Sequence, residues 1–302
     1  MPDSKWVDLL DPDPATLDAA VPGMLHPTAS ERMLAPARHE DDPRPRLERH
    51  GDYLFGILVV PVTTDDEVTF QEVDLVVDQR RLLTVRKTAA GGSGAFDVEP
   101  VQQASAGAIP GMALYALLDE IAEQFLTVVD RFDDDIDELE DKVEEWEAVV
   151  VRERISQLRH DILHVRRVLT PTRDLARSIL DDRVDLAGDP ELFPHDVEIH
   201  FADVYDKLLR ATDGLDLSRD LLAGVRDYHQ AQVANDQNEV MKRLTVVASV
   251  LLLPTFIVGL YGQNLKGIPE LDWHYGYVYA IGLMIASVAA PFLYFRRKGW
   301  LR

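Results

Sequence analysis

The chain has 302 residues, no cysteine and a net charge of −22, from 53 acidic and 31 basic side chains. The lack of cysteine excludes disulfides and thiolate metal sites, which suits the cytoplasm. Residues 244–302 carry five basic and two acidic side chains, so residues 1–243 carry a net charge of −25. A body this acidic disfavours nucleic acid as a partner and attracts cations, divalent ones most strongly, although an acidic surface can also serve solubility alone.

Residues 1–110 predict a cytoplasmic α/β subdomain. Apolar runs at 53–60, 73–77 and 81–85 are separated by turn-forming residues, which predicts a meander of antiparallel strands. Short helices are expected beside it, around residues 14–20 and 28–34. No Walker-type or dinucleotide-binding glycine motif occurs, so no organic cofactor is predicted. The first 20 residues are acidic and lack an apolar core, so no signal peptide is expected.

Residues 111–190 predict a long acidic helical hairpin, because apolar residues recur there at helical spacing. We expect a first helix to about residue 145 and a second from about residue 152 to 180. Pro171 predicts a kink or break in the second helix.

Residues 195–261 predict a stalk helix that continues into a first membrane span. The segment 195–253 contains no proline and as continuous helix would reach about 90 Å at about 1.5 Å per residue. Its regularly spaced apolar residues could pack against a neighbouring copy of the chain.

Two apolar segments, 244–261 and 276–295, lack charged side chains. Each is long enough to cross a hydrocarbon core of about 30 Å as a helix. The short loop 262–275 must then join a transmembrane hairpin. Basic residues flank the hairpin before the first span and in the tail 296–302, so both termini are predicted in the cytoplasm of a multi-pass protein of the cell membrane.

A single two-helix hairpin cannot enclose a water-filled path, whereas a ring of copies can. Seven residues recur every three or four positions on one face of the first span and could line such a path, with an apolar constriction that gates by dewetting. Ordinary helix packing through small residues explains the same spacing. The seven are Asn238, Met241, Leu244, Ala248, Leu252, Thr255 and Gly259.

The C-terminal part resembles the signature of the CorA family of divalent-cation channels. In that family a stalk helix enters the pore, the pore ends in Tyr-Gly-Met-Asn, and a Met-Pro-Glu-Leu loop follows. Weaker likeness at 44–48, 53–55, 132–140 and 201–206 extends the resemblance over nearly the whole chain. The matching residues are Asn238-Glu-Val-Met-Lys-Arg-Leu-Thr245, Pro254-Thr-Phe-Ile-Val-Gly-Leu-Tyr-Gly262, Asn264 and Ile268-Pro-Glu-Leu271, with Gln263 in place of the usual methionine.

The resemblance implies an α+β cytoplasmic domain, with an N-terminal sheet, flanking helices and then long helices. A stalk helix would join it to the transmembrane hairpin in a funnel-shaped homopentamer. It implies passage of Mg²⁺, with Co²⁺ or Ni²⁺ as further ions, and no enzymatic reaction. Gly262, Gln263, Asn264 and Glu270 would form the outer mouth, where carbonyls and amides hydrogen-bond the waters that Mg²⁺ retains.

The resemblance also implies regulation by intracellular Mg²⁺. Asp203 matches a stalk carboxylate that pairs with an acidic residue of the adjoining subunit, and Asp65 or Asp66 lies in the corresponding turn. Mg²⁺ between such carboxylates would hold the ring closed, and its loss would let the pore open. A solvated helix carboxylate is the simpler interpretation of Asp203.

Other interpretations stay open at this point. Arg296, Arg297 and Lys298 could form a basic collar around the pore exit or serve only as the topology signal. His160 and His164 could bind a metal from one helix face or be ordinary exposed residues. Gln263 departs from the usual methionine of the family, at a position where the related ZntB-type transporters often have isoleucine, and a proton-coupled Zn²⁺ transporter is therefore an alternative. A non-conducting acidic sensor or scaffold, anchored by the hairpin, is another.

Overall fold

The computed structural model describes residues 5–21, 25–36, 44–63, 68–88, 96–184, 186, 191–263 and 269–300. The chain divides into two compact units, Met1–Arg226 and Asp227–Arg302.

A five-stranded mixed sheet forms the centre of the first unit, in the order β1-β5-β4-β3-β2. The predicted antiparallel meander is present as β3, β4 and β5, and the sequence did not indicate the two edge strands. β2 is antiparallel to β3, and β1 is parallel to β5. The strands are β1 Trp6–Leu10, β2 Arg46–His50, β3 Tyr53–Thr63, β4 Val68–Val77 and β5 Leu82–Arg86.

Helices cover both faces of the sheet. On one face α1 (Pro14–Ala20) and α2 (Pro27–Leu34) bury Leu17 and Met33 against strand residues, as the sequence predicted for these two helices. Asp13 caps α1, because its carboxylate accepts a 2.7 Å hydrogen bond from the Thr16 amide. On the other face α3 (Glu99–Ala104) and the long helices share a second, larger core with the sheet.

Four long helices follow, namely α4 (Pro110–Lys142), α5 (Ala148–Leu180), α6 (His195–Tyr261) and α7 (Gly276–Arg297). α5 runs through Pro171 without the break that was one expectation. Apolar residues of α5 are buried on both sides of Pro171. Their burial stabilises the continuous helix and offsets the backbone hydrogen bond that the proline cannot donate. α6 is a single helix of 67 residues and contains Pro254.

A buried ionic cluster joins the sheet to α2. Lys87 Nζ lies 2.5 Å from Glu72 Oε1 and 2.7 Å from Asp74 Oδ2, and Arg32 donates a 2.7 Å hydrogen bond to Glu72. The side chains of Lys87 and Asp74 are both fully buried. Burial, together with the negative charge of Glu72, raises the pKa of Asp74 to about 7 against the opposing effect of Lys87.

Asp74→Asn should flatten the pH dependence of stability. The pKa of Asp74 is about 7 in the folded chain against 3.8 for the free group. The folded chain therefore favours the protonated carboxyl, and Asp74 contributes most to stability at low pH, where it is protonated. That contribution falls as the pH rises from about 4 to about 7 and changes little above that range. Thermal unfolding measured between about pH 5 and about pH 8 should therefore show a smaller loss of stability with rising pH in the variant than in the native protein.

The exposed carboxylate Asp174, whose side chain is 63% accessible, provides a matched control as Asp174→Asn. Unfolding curves of Asp74→Asn that run parallel to those of the native protein would show that Asp74 is already ionised throughout this range.

Candidate ion pathway and carboxylate groove

The second unit contains the seven residues predicted to line a pore. At 100° per residue they fall within an arc of about 120° on α6. All seven are exposed in the single chain, and the apolar members Met241, Leu244 and Leu252 are 59%, 60% and 68% accessible. We call this set, Asn238 to Gly259, the α6 stripe.

The opposite face of the same helix is the covered one. Val246 is buried, and Val250, Pro254 and Ile257 are half-buried at spacings of four, four and three residues. Leu251 is nevertheless as exposed as Leu252, at 63%. The apolar residues of the stripe therefore need a further covering, by lipid or by other copies, and exposure alone does not distinguish the stripe from neighbouring positions of the helix.

Thr255 supplies an acceptor in the stripe. Its hydroxyl donates a 2.7 Å hydrogen bond to the carbonyl of Leu251. Because that bond uses the hydroxyl proton, the oxygen lone pairs remain available as acceptors. Water around a cation directs its protons outward, so this arrangement suits a hydrated cation.

The end of α6 provides a region of negative potential. The helix ends at Tyr261, and the Gly262 amide still donates a 2.8 Å hydrogen bond to the Val258 carbonyl. Carbonyls of the last turn carry the negative end of the helix dipole, which favours cations. Gly262 and Gln263 are exposed there. Asn264 lies outside the described residues.

Glu270 belongs to a short 3₁₀ helix, Pro269–Asp272, and is half-buried. Gly276, the first residue of α7, packs so closely against the Glu270 carbonyl that a Cβ would overlap it. The Trp273 and Tyr279 rings also contact each other, with centroids 5.9 Å apart. Glycine at 276 is therefore required for the backbone conformation that holds Glu270 next to the start of α7.

The three predicted collar residues end α7. Gly299 has a φ of +74°, its amide bonds the Arg296 carbonyl, and the Trp300 amide bonds the Phe295 carbonyl. These are the two hydrogen bonds of a Schellman cap. Arg296, Arg297 and Lys298 are exposed around it. Basic residues in a last helical turn are also favourable to the helix dipole, which explains them locally without a pore.

Asp203 lies in the first unit, in an acidic groove between α4 and α6. Lys207, one turn along α6, reaches across the groove and lies 2.7 Å from Asp119 and 2.6 Å from Glu123. Partial burial acts to lower the pKa of Lys207, but the hydrogen bonds and charges of these two carboxylates outweigh it and raise the pKa. We call the set Asp119, Glu123, Asp203, Asp206, Lys207 and Asp213 the carboxylate groove.

Lys207 thus offsets one of the two negative charges of Asp119 and Glu123, and Arg210 is a second basic residue that lines the groove. On the other side Asp203, Asp206 and Asp213 have no ion pair within the described part of the chain, and all three are exposed. They are free to meet a solvent cation or a carboxylate of another copy. The predicted partners Asp65 and Asp66 lie outside the described residues. Sequence reasoning missed Lys207, although its spacing of four from Asp203 was a readable signal.

Comparison with known families matches residues 3–297 to the family described as "CorA-like Mg2+ transporter protein". The chain therefore belongs to that family, whose members are membrane ion transporters rather than enzymes. α6 and α7 are both long and apolar enough to cross a membrane, in agreement with this family.

Individual relatives support the same assignment. The cobalt/magnesium transport protein CorA of Thermotoga maritima is 29% identical over 288 residues, which cover 92% of this chain and 77% of the relative. The CorA magnesium transporter from Methanocaldococcus jannaschii has a similar structure, with a TM-score of 0.80 and 23% identity over 98% of this chain and 91% of its own. The ZntB cytoplasmic domain from Vibrio parahaemolyticus matches with a TM-score of 0.55 and 13% identity, over 76% of this chain and 88% of its own. The predicted fold class is thereby confirmed, while the number of copies stays a prediction.

Lys207→Gln should make the protein more responsive to Mg²⁺. The change removes the tethered cation from Asp119 and Glu123, so the groove becomes more negative and binds a divalent ion more strongly. We expect a stability loss of about 1 kcal/mol without Mg²⁺ and a larger Mg²⁺-induced rise in unfolding temperature than in the native protein.

Lys142→Gln is the matched control, because Lys142 pairs with Glu138 on one exposed helix turn, 3.0 Å apart. If Mg²⁺ raises the unfolding temperature of all three proteins equally, Lys207 does not compete with cations in the groove.

Proposed function

We propose that this protein is the subunit of a homopentameric channel that lets Mg²⁺ cross the cell membrane, with both termini in the cytoplasm. The observation that carries the proposal is the continuity of α6, which bears the exposed stripe and ends at Tyr261, directly before the sequence Gly262-Gln263-Asn264. Five copies of the stripe would surround one path. Co²⁺ and Ni²⁺ are expected to share that path, since they also hold a shell of water.

The mouth would select the ion with its water still attached. Mg²⁺ gives up water reluctantly and prefers oxygen ligands. Rings of Asn264 amides and Gly262 carbonyls can accept hydrogen bonds from that water, and Glu270 would raise the local cation concentration. Gln263 adds both a donor and an acceptor to the ring.

The middle of the path would act as the gate. Met241, Leu244 and Leu252 present apolar rings that can exclude water when the bundle is narrow. Asn238 and Thr255 offer polar rings on the two sides of this constriction. A small widening of the bundle would re-wet it and let the hydrated ion pass. The collar of Arg296, Arg297 and Lys298 would restrain cations at the inner exit.

Regulation would occur at the carboxylate groove. Asp203 faces solvent on α6, where an acidic residue of an adjoining copy, Asp65 or Asp66, could approach it. Mg²⁺ between two carboxylates would offset their repulsion and hold the copies together. A fall in cytoplasmic Mg²⁺ would remove the ion and leave the repulsion, which loosens the ring.

Proton-coupled Zn²⁺ transport is the second candidate. Gln263 favours considering it, because this position departs from the methionine that Mg²⁺ channels of the family usually carry. The preference for a hydrated hard ion rests on the oxygen-rich mouth and the lack of cysteine.

Asn264→Ala should lower Mg²⁺ flux into vesicles that contain the purified protein and a Mg²⁺-sensitive dye. Loss of a hydrogen bond to a charged species costs about 1.5–3 kcal/mol, which corresponds to a reduction of about tenfold or more. Asn235→Ala, on α6 but off the stripe, should leave the flux unchanged. Equal flux through Asn264→Ala and the native protein would remove Asn264 from the path. Flux of Zn²⁺ that depends on a pH gradient, without flux of Mg²⁺, would favour the second candidate.

Asp203→Ala combined with Asp65→Ala should weaken inhibition by cytoplasmic Mg²⁺. Without the two carboxylates, Mg²⁺ cannot bind between adjoining copies and hold the ring closed. Currents in excised patches should therefore respond less to Mg²⁺ at the cytoplasmic face. Asp174→Ala, on an exposed part of α5, is the control. The same inhibition in all three proteins, or none in the native channel, would contradict this mechanism.

A further inference from the structure

Two histidines on α5 form a pair that the ion path does not use. His160 and His164 lie one helical turn apart, and their ring centroids are 4.2 Å apart with 39° between the ring planes. His160 is exposed, and His164 is half-buried beside Phe70 of β4, with ring centroids 6.4 Å apart. The packing against Phe70 restricts the second ring, so the pair is partly ordered before any ligand binds.

The separation of the rings suits a single metal ion. A metal–nitrogen bond of about 2.0–2.1 Å places each ring centre roughly 3.2 Å from the ion. Two rings 4.2 Å apart would then bind at an angle of roughly 80–90°, near that of adjacent positions in an octahedron. Within the described residues no cluster of three metal-binding side chains occurs, so water would fill the other positions.

The surroundings discriminate between kinds of cation. Arg159, Arg166 and Arg167 flank the pair along α5. Asp161 offsets part of their charge, as does Asp216, which lies 2.6 Å from Arg166. The remaining positive potential disfavours an ion held by charge alone, such as Mg²⁺. Imidazole nitrogen instead forms strong bonds with borderline transition metals, which can offset the local repulsion.

We propose that His160 and His164 form a two-imidazole binding site for Co²⁺ or Ni²⁺ on the surface of the first unit, a site that does not take Mg²⁺. The site is separate from the carboxylate groove in both its donors and its ion preference. It would let the soluble part bind transition ions while Mg²⁺ occupies the carboxylates. The inference does not require that the chain conducts ions.

The test is calorimetric titration of the full-length protein, free of any histidine tag, with Co²⁺ or Ni²⁺ in a saturating background of Mg²⁺. The background occupies the carboxylate sites, so the remaining heat reports imidazole binding. We expect one such ion per chain in the native protein. His160→Ala should lose it and keep the native unfolding temperature, because His160 is exposed on a helix in which alanine is favourable.

His195→Ala is the matched control, since His195 is 89% accessible and has its own neighbouring carboxylate, Glu198. It should bind Co²⁺ or Ni²⁺ as the native protein does. The proposal is overturned if native protein binds neither ion in the Mg²⁺ background, if His160→Ala binds them unchanged, or if His195→Ala loses them as well. If the native protein conducts no Mg²⁺ in vesicles but still binds Co²⁺ or Ni²⁺ in the calorimeter, the channel proposal is rejected and the histidine site is retained.

Discussion

A hydrated divalent cation is not stable in hydrocarbon and must be surrounded by polar groups or water throughout its passage across a membrane. Within the described residues two helices, α6 and α7, are long and apolar enough to cross a membrane, and 6% of the apolar window of α6 is buried within the chain. The exposed surface of that helix therefore has to be covered by lipid and by other copies. The α6 stripe, with Asn238 and Thr255 among small and apolar residues, is the side that we propose meets the other copies around the path.

The soluble part of the chain must also accommodate a large negative charge. Residues 1–243 carry a net charge of −25, and the carboxylate groove concentrates part of it between α4 and α6. Lys207 pairs with Asp119 and Glu123, whereas Asp203 stays exposed. In the proposed regulation, this lysine would compete with a divalent ion for those two carboxylates. The buried cluster around Lys87 uses the same chemistry for a structural purpose, because its charges are shielded from solvent.

Periodic patterns in the sequence predicted what depends on local spacing. The strands of the meander and the long helices were visible because their apolar residues repeat at fixed intervals over many residues. β2 was missed because most of its residues are charged or polar, which is unlike the apolar pattern of a typical strand. Charged residues on an edge strand protect the sheet from pairing with other chains. The sequence of β2 is Arg46-Leu-Glu-Arg-His50. The Lys207 contacts with Asp119 join positions 88 residues apart, and no periodicity encodes such a pair. The roles at Gly262, Gln263 and Glu270 came from family resemblance, since spacing alone could not assign them.

Cysteine accessibility along α6 tests the central claim most directly, because the native chain contains no cysteine to interfere. Single cysteines would be placed in turn at the stripe position Leu252, its exposed neighbour Leu251 and the covered position Val250. Each protein would then be treated in membranes with a charged, water-soluble thiol reagent during ion flux. A pore lined by the stripe should show rapid modification and loss of flux at 252, with slow modification at 251 and 250. Equal reactivity at 251 and 252, or protection of 252, would contradict a shared aqueous path lined by the stripe.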